Sequence, residues 1–124
     1  MDVVRIRQAG PGDALLVAAL TLQAALAEGL VPEPGFLDRY AEAWLANRGA
    51  HPAWFAECGG EHAGVLMVTW IRPLPWPGRT GGGSVHLERL FVRADQPGGK
   101  VMNALRAAVR EWMREREVTE VRLD

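Results

Sequence analysis

Residues 90–105 read Leu-Phe-Val-Arg-Ala-Asp-Gln-Pro-Gly-Gly-Lys-Val-Met-Asn-Ala-Leu, and the fold turns on how they are read. The apolar end of a strand passes through a glycine-containing turn straight into an amphipathic segment. Val101, Met102, Leu105, Ala108, Val109, Trp112 and Met113 recur at helical spacing, which predicts a helix from about Gly98 to Arg116. Arg110, Arg114 and Arg116 fall near its C-terminal end, where the helix dipole favours cations. The N-terminal end presents backbone N–H groups and partial positive charge, the makings of an anion site. Gly98 and Gly99 would let a phosphate approach the main chain, and Lys100 adds a formal charge beside it. The plainer alternative is a Pro-Gly-Gly turn with no ligand. Other phosphate motifs fail. Lys100 is followed by Val101, where a Walker loop needs Ser or Thr. The Gly81-Gly82-Gly83 run leads into a strand and lacks the later glycine of a dinucleotide fingerprint.

Upstream, Val3–Ala9 alternates as a strand does, and Gly10-Pro11-Gly12 ends it. Asp13 stands where a helix N-cap belongs, with a helix expected to about Glu28 and a stop at Gly29. A second helix is expected from near Pro34 to near Arg48, with Phe36, Leu37, Tyr40, Ala43 and Trp44 on one apolar face. Ala53–Cys58 and Ala63–Ile71 flank Gly59-Gly60 and read as a hairpin. Pro73–Gly83 carries too many prolines and glycines for regular structure, and long loops in compact domains are often functional. Ser84–Val92 and Val118–Leu123 complete the strands. The order is β-α-α-β-β-β-α-β, a mixed α/β (α+β) pattern in one domain spanning residues 1–124. The sheet should be mainly antiparallel, with its last two strands parallel because they flank a right-handed helical crossover.

The chain has 124 residues, 48% hydrophobic and 23% charged, enough for a buried core. Its net charge of -1 argues against a nucleic-acid binder, which would show a basic excess. The longest uncharged stretch, Ala14–Ala27, is shorter than the roughly 20 residues a membrane span needs. The N-terminus is strand-like rather than a targeting segment, and Cys58 is the single cysteine, so a cytoplasmic location is expected.

The order of elements and the turn together resemble the GNAT superfamily of acyl-CoA-dependent N-acetyltransferases. RIRQAGPGDALLVAAL resembles the family's first strand and helix, HAGVLMVTW its third strand, HLERLFVRADQPGGKVMNALRAAVREWMRE its fourth strand, cofactor loop and central helix, and EVTEVRLD its fifth strand. The resemblance implies acetyl-CoA as co-substrate. Its pantetheine arm would pair with fourth-strand backbone at Leu90, Phe91 and Val92, where the fourth and fifth strands splay. Its pyrophosphate would rest on Gln96, Gly98, Gly99, Lys100, Val101, Met102 and Asn103. Gln96 and Gly99 match the family's loop pattern, whereas Val101 stands where Gly or Ala is usual. Family members usually continue past the fifth strand, often with a tyrosine that protonates the leaving thiolate. Here the chain is shorter, and its only tyrosine is Tyr40, in the second helix.

Acyl transfer to an amine requires a base to take the amine's proton. His86 and Glu88 alternate on the fourth strand, and the resemblance implies that an acidic residue or a histidine there is the base, Glu88 first. The Glu88 carboxylate could equally stand in solvent or pair with Arg89 or Arg72. The implied reaction is direct attack on the thioester by a primary amine of a small molecule or peptide, with fourth-strand N–H groups polarising the carbonyl and no metal. The Pro73–Gly83 loop and the first two helices would define the acceptor. The alternative function is a non-catalytic GNAT-like module for dimerisation or ligand sensing. Cys58 and His62 lack further metal ligands, and a lone strand cysteine is expected to pack as a small hydrophobe. Trp44 and Trp112 are expected in the core and Trp76 exposed in the loop. Leu15, Leu16, Leu20, Leu22 and Leu26 spread around the first helix beyond one core-facing stripe, and the fifth strand would leave an open edge. Both features lead to the expectation of a homodimer.

Overall fold

The computed structural model describes residues 3–78 and 81–122. Its elements are β1 (Val4–Gln8), α1 (Ala14–Ala27), α2 (Phe36–Asn47), β2 (Ala53–Cys58), β3 (Glu61–Ile71), β4 (Ser84–Val92), α3 (Gly98–Glu115) and β5 (Thr119–Arg122), with a 3-10 turn at Pro11–Asp13. The strands form one sheet in the order β1-β2-β3-β4-β5. All neighbours are antiparallel except β4 and β5, which are parallel. The element order and the strand directions are those the sequence predicts. Among the described residues no helix is long and apolar enough to cross a membrane.

Each face of the sheet is buried. Trp54, Ala56 and Cys58 of β2 and Leu66 and Val68 of β3 pack with Val101, Leu105, Val109, Trp112 and Met113 of α3. Those five α3 residues are its buried stripe, so the helical period read from the sequence is the packing face. On the other face Phe55, Val65 and Met67 pack with Val17 and Leu20 of α1 and Trp44 of α2. Cys58 is 3% exposed and sits in the α3 cluster, as expected of a small hydrophobe. Trp44 and Trp112 are core residues, and Trp76 is 69% exposed. Leu15 and Leu26 of α1 remain exposed at 62% and 53%, because α2 and the sheet cover only part of an all-apolar helix.

Gly59 and Gly60 both have positive φ (62° and 80°), which matches the twist of the β2–β3 hairpin they connect. Gly64 serves a different purpose. A Cβ there would lie 2.5 Å from the backbone oxygen of Phe91, so only glycine lets β3 approach β4 this closely.

Asp13 does not cap α1 as the sequence suggests. Its carboxylate turns back instead, accepting from Gly10 N–H at 2.7 Å and from Arg7 Nη1 at 2.8 Å. The contact ties β1 to the turn that follows it. The Arg7 guanidinium, helped by the Gly10 N–H, holds the Asp13 carboxyl below its ordinary value. A depressed carboxyl stabilises the fold at every pH above its unfolded pKa, and that contribution is lost as pH falls through the lower folded pKa. Urea melts of the native chain and Asp13→Asn should therefore differ by a constant amount above about pH 5 and converge below about pH 4.

Candidate functional site

The site is built on β4, whose two edges are paired to different extents among the described residues. Among the described residues, β5 pairs with β4 only from Ser84, opposite Thr119, to His86, opposite Arg122. From Leu87 to Val92 the edge of β4 turned away from β3 has no described strand beside it. Leu90 and Val92 pack against the α3 cluster and Phe91 against the α1–α2 cluster. What these three residues offer at the open edge is therefore backbone.

A bulge sits at the same place. Val68 pairs with Leu87 and Met67 with Arg89, so Glu88 is an extra residue in β4. The bulge re-phases the strand. Leu87 before it and Leu90 after it both face α3. Glu88 is aimed the other way. It accepts from the Thr69 hydroxyl at 2.7 Å and lies 2.9 Å from His51 Nδ1. That nitrogen is buried and lacks hydrogen-bond alignment, so the contact with Glu88 is a close approach without a hydrogen bond. Neither Arg89 nor Arg72, the arginines considered from sequence, is the partner of Glu88. Arg72 instead stacks its guanidinium on Trp70, 4.3 Å from the ring centroid.

Hydrogen bonds fix the backbone at His51 and on both sides of it. Trp44 Nε1 donates to the His51 carbonyl at 3.0 Å. The neighbouring carbonyls of Ala50 and Pro52 accept from Trp70 N–H at 2.8 Å and Val68 N–H at 3.1 Å. Tyr40, Trp44, Asn47, His51, Met67 and Glu88 then surround a pocket of ≈ 150 Å³. The Tyr40 hydroxyl reaches Met67 Sδ at 3.7 Å. His86 shares the face of Thr69, its cross-strand partner, but is not part of this pocket wall.

At the other end of β4, Arg93 pairs with Asp95 at 3.1 Å and the Gln96 amide donates to Glu61 at 3.3 Å, which shapes the turn into α3. The first N–H to bond within α3 is that of Val101, to Pro97 O at 3.0 Å. The N–H groups of Gly98 and Gly99 precede that bond, and a Cβ at either glycine would meet nothing within 4 Å. Val101 is fully buried, so both its side chain and its N–H belong to the fold. Met102 is half-buried, while Lys100 and Asn103 are exposed. A groove of ≈ 430 Å³ runs beside this turn, walled by Leu26, Phe91, Val92, Arg93, Ala94 and Asp95 among others.

Sequence reasoning named Glu88 and the turn as candidates and did not name His51, Thr69 or a place for Tyr40 beside Glu88. No local pattern marks His51, because β3 hydrogen bonds bring it to Glu88. The bulge did leave a signal. The buried phase of β4 passes from odd positions (Val85, Leu87) to even ones (Leu90, Val92) across Glu88-Arg89.

An open strand edge that leads to a helix N-terminus, with a carboxylate at the point of opening, is the arrangement expected of an N-acyltransferase. The sequence matches the acetyltransferase (GNAT) family over residues 18–124, and the chain belongs to that family. No curated protein sequence matches the chain. Among solved structures, it resembles a ribosomal-protein-alanine N-acetyltransferase from Brucella melitensis biovar Abortus 2308, with 26% identity, TM-score 0.73, and coverage of 98% of this chain and 80% of that one. It also resembles a predicted acetyltransferase with acetyl-CoA from Clostridium acetobutylicum, at 17% identity, TM-score 0.72, and 98% and 81% coverage. A third is an aminoglycoside acetyltransferase in complex with sisomicin, from an uncultured soil metagenomic sample, at 13% identity, TM-score 0.73, and 98% and 77% coverage.

Proposed function

We propose that the protein moves an acetyl group from acetyl-CoA to a primary amine of a small molecule or peptide by direct attack. The observation that carries this reading is the Glu88 carboxylate, set by the bulge just beyond the last described β4–β5 pair, His86 with Arg122. The open edge beyond it suits an amide-bearing pantetheine arm, which can pair with strand backbone. The N–H groups of Gly98 and Gly99 and the charge of Lys100 suit a pyrophosphate, with open space in front of both glycines. Acetyl-CoA supplies the activated acyl group. Relatives solved with acetyl-CoA and with an amine antibiotic support the same assignment of partners.

The chain's own residues have three tasks. Unpaired β4 N–H groups orient the thioester carbonyl and stabilise the negative charge that grows on its oxygen. Glu88 takes the proton as the amine nitrogen bonds to the carbonyl carbon; the carbon–sulfur bond then breaks, and CoA leaves as a thiolate that takes a proton from solvent. Thr69 and His51 keep the carboxylate turned toward the pocket. Glu88→Gln keeps the shape and removes the acceptor of the proton. Its kcat at neutral pH should fall about 100-fold or more, and an unchanged pH–rate profile would move the role of base to His86 or a water.

The anion site is tested separately. Gly99→Glu adds a negative charge in open space, so thermal melts should show a folded protein, while calorimetric titration should show CoA binding weakened about tenfold or more. Equal binding by the variant would place the pyrophosphate elsewhere.

The reading includes a cytoplasmic homodimer, with the exposed leucines of α1, Leu15 and Leu26, supporting a second copy as their cover. Sedimentation equilibrium at micromolar concentration should give twice the 13.6 kDa chain mass, and a single species at that mass would refute the dimer.

A further inference from the structure

The bulge that aims Glu88 also turns its neighbour to the same side. Arg89 is in register with Met67, whose side chain lies in the α1–α2 cluster. Leu90 faces α3 and Phe91 faces α1 and α2, so alternation places Arg89 with Phe91. Two consecutive residues of opposite charge thus share one face, which an unbroken strand does not allow. They do not neutralise each other. Glu88 is engaged by Thr69 and His51. Among the described residues Arg89 makes no ion pair or hydrogen bond, although it is half-buried. A partly desolvated guanidinium without a carboxylate partner is an unmet demand for an anion, and its planar fork suits carboxylate or phosphate.

On the reading of Glu88 as the base that receives the amine, we propose that the acceptor is zwitterionic. It carries its primary amine beside an anionic group, with the amine held at Glu88 and the anion at Arg89. Arg89 is then a specificity-determining residue. It discriminates by pairing with the anion, and a neutral amine in the same place leaves the guanidinium unmatched.

Binding tests this without relying on turnover. Matched amines are titrated into the CoA-bound protein and followed by ligand-observed NMR: phenylalanine against phenethylamine, alanine against ethylamine, and phosphoethanolamine against ethanolamine. The anion-bearing member of at least one pair should bind about tenfold more tightly, and the pairs separate a carboxylate from a phosphate acceptor. Arg89→Met should abolish that advantage, and Arg89→Lys should keep part of it and covers the case in which the methionine variant does not fold. Neutral amines binding as well as their anionic counterparts would overturn the proposal. So would an Arg89→Met variant that keeps the preference, or one that weakens CoA instead. A preference in binding without acetylation of any of these amines would count against the proposed transfer reaction and leave the acceptor class standing.

Discussion

A strand edge can serve a neighbouring strand or a ligand, but not both, and the arrangement of this molecule follows from that exclusion. β4 gives one edge to β3 along its whole length, and among the described residues its other edge is paired only as far as His86. Half a strand must then be held in place by a single neighbour. The β3–β4 pairing is built for that load. It runs from Gly64 opposite Val92 to Ile71 opposite Ser84, and at Gly64 the backbones come too close for any side chain. The packing of α3 on one face and α1 on the other adds the support that β5 does not give.

The bulge resolves a second conflict on the same strand. A charged side chain on the α3 face would be buried among Leu66, Val68, Leu105 and Val109 without a partner, at a cost of several kcal/mol. An extra residue at Glu88 lets the apolar positions keep facing α3 on both sides of the break. The polar pair goes to the opposite face, where Thr69, His51 and solvent meet it. Core packing and site chemistry thus depend on one register shift.

This explains which parts were legible in the sequence. Periodicity reports what a helix or strand buries, so α3, the Gly59-Gly60 hairpin and the strand order could be read from it. Glu88 was singled out through the family resemblance and the Gly98-Gly99 turn through its place between a strand and a helix, and their roles belong to the proposal. His51 was not, since its place depends on β3 donating to carbonyls on both sides of it. Val101 was assigned to the ligand because the family pattern counts loop positions. In space it is the first fully buried residue of α3, a helix that already begins at Gly98. Asp13 sits at an N-cap position by sequence, yet Arg7, six residues earlier on β1, competes for its carboxylate and wins.

The composition of α1 fits the same scheme. A helix without a charge from Ala14 to Ala27 is costly to expose, and Leu15 and Leu26 are exposed. Its position gives a reason. Val17 and Leu20 pack with Phe55, Met67 and Phe91 on the face that carries Glu88 and Arg89, and Leu26 walls the groove beside Phe91. A charged residue on that wall would offer Arg89 or Glu88 an internal counterion and compete with the acceptor proposed above. An uncharged wall also lowers the local dielectric, so the remaining charges act more strongly on whatever enters. The uncharged α1 therefore adds no counterion on the sheet face where Glu88 meets Thr69 and His51 and where Arg89 lies beside it.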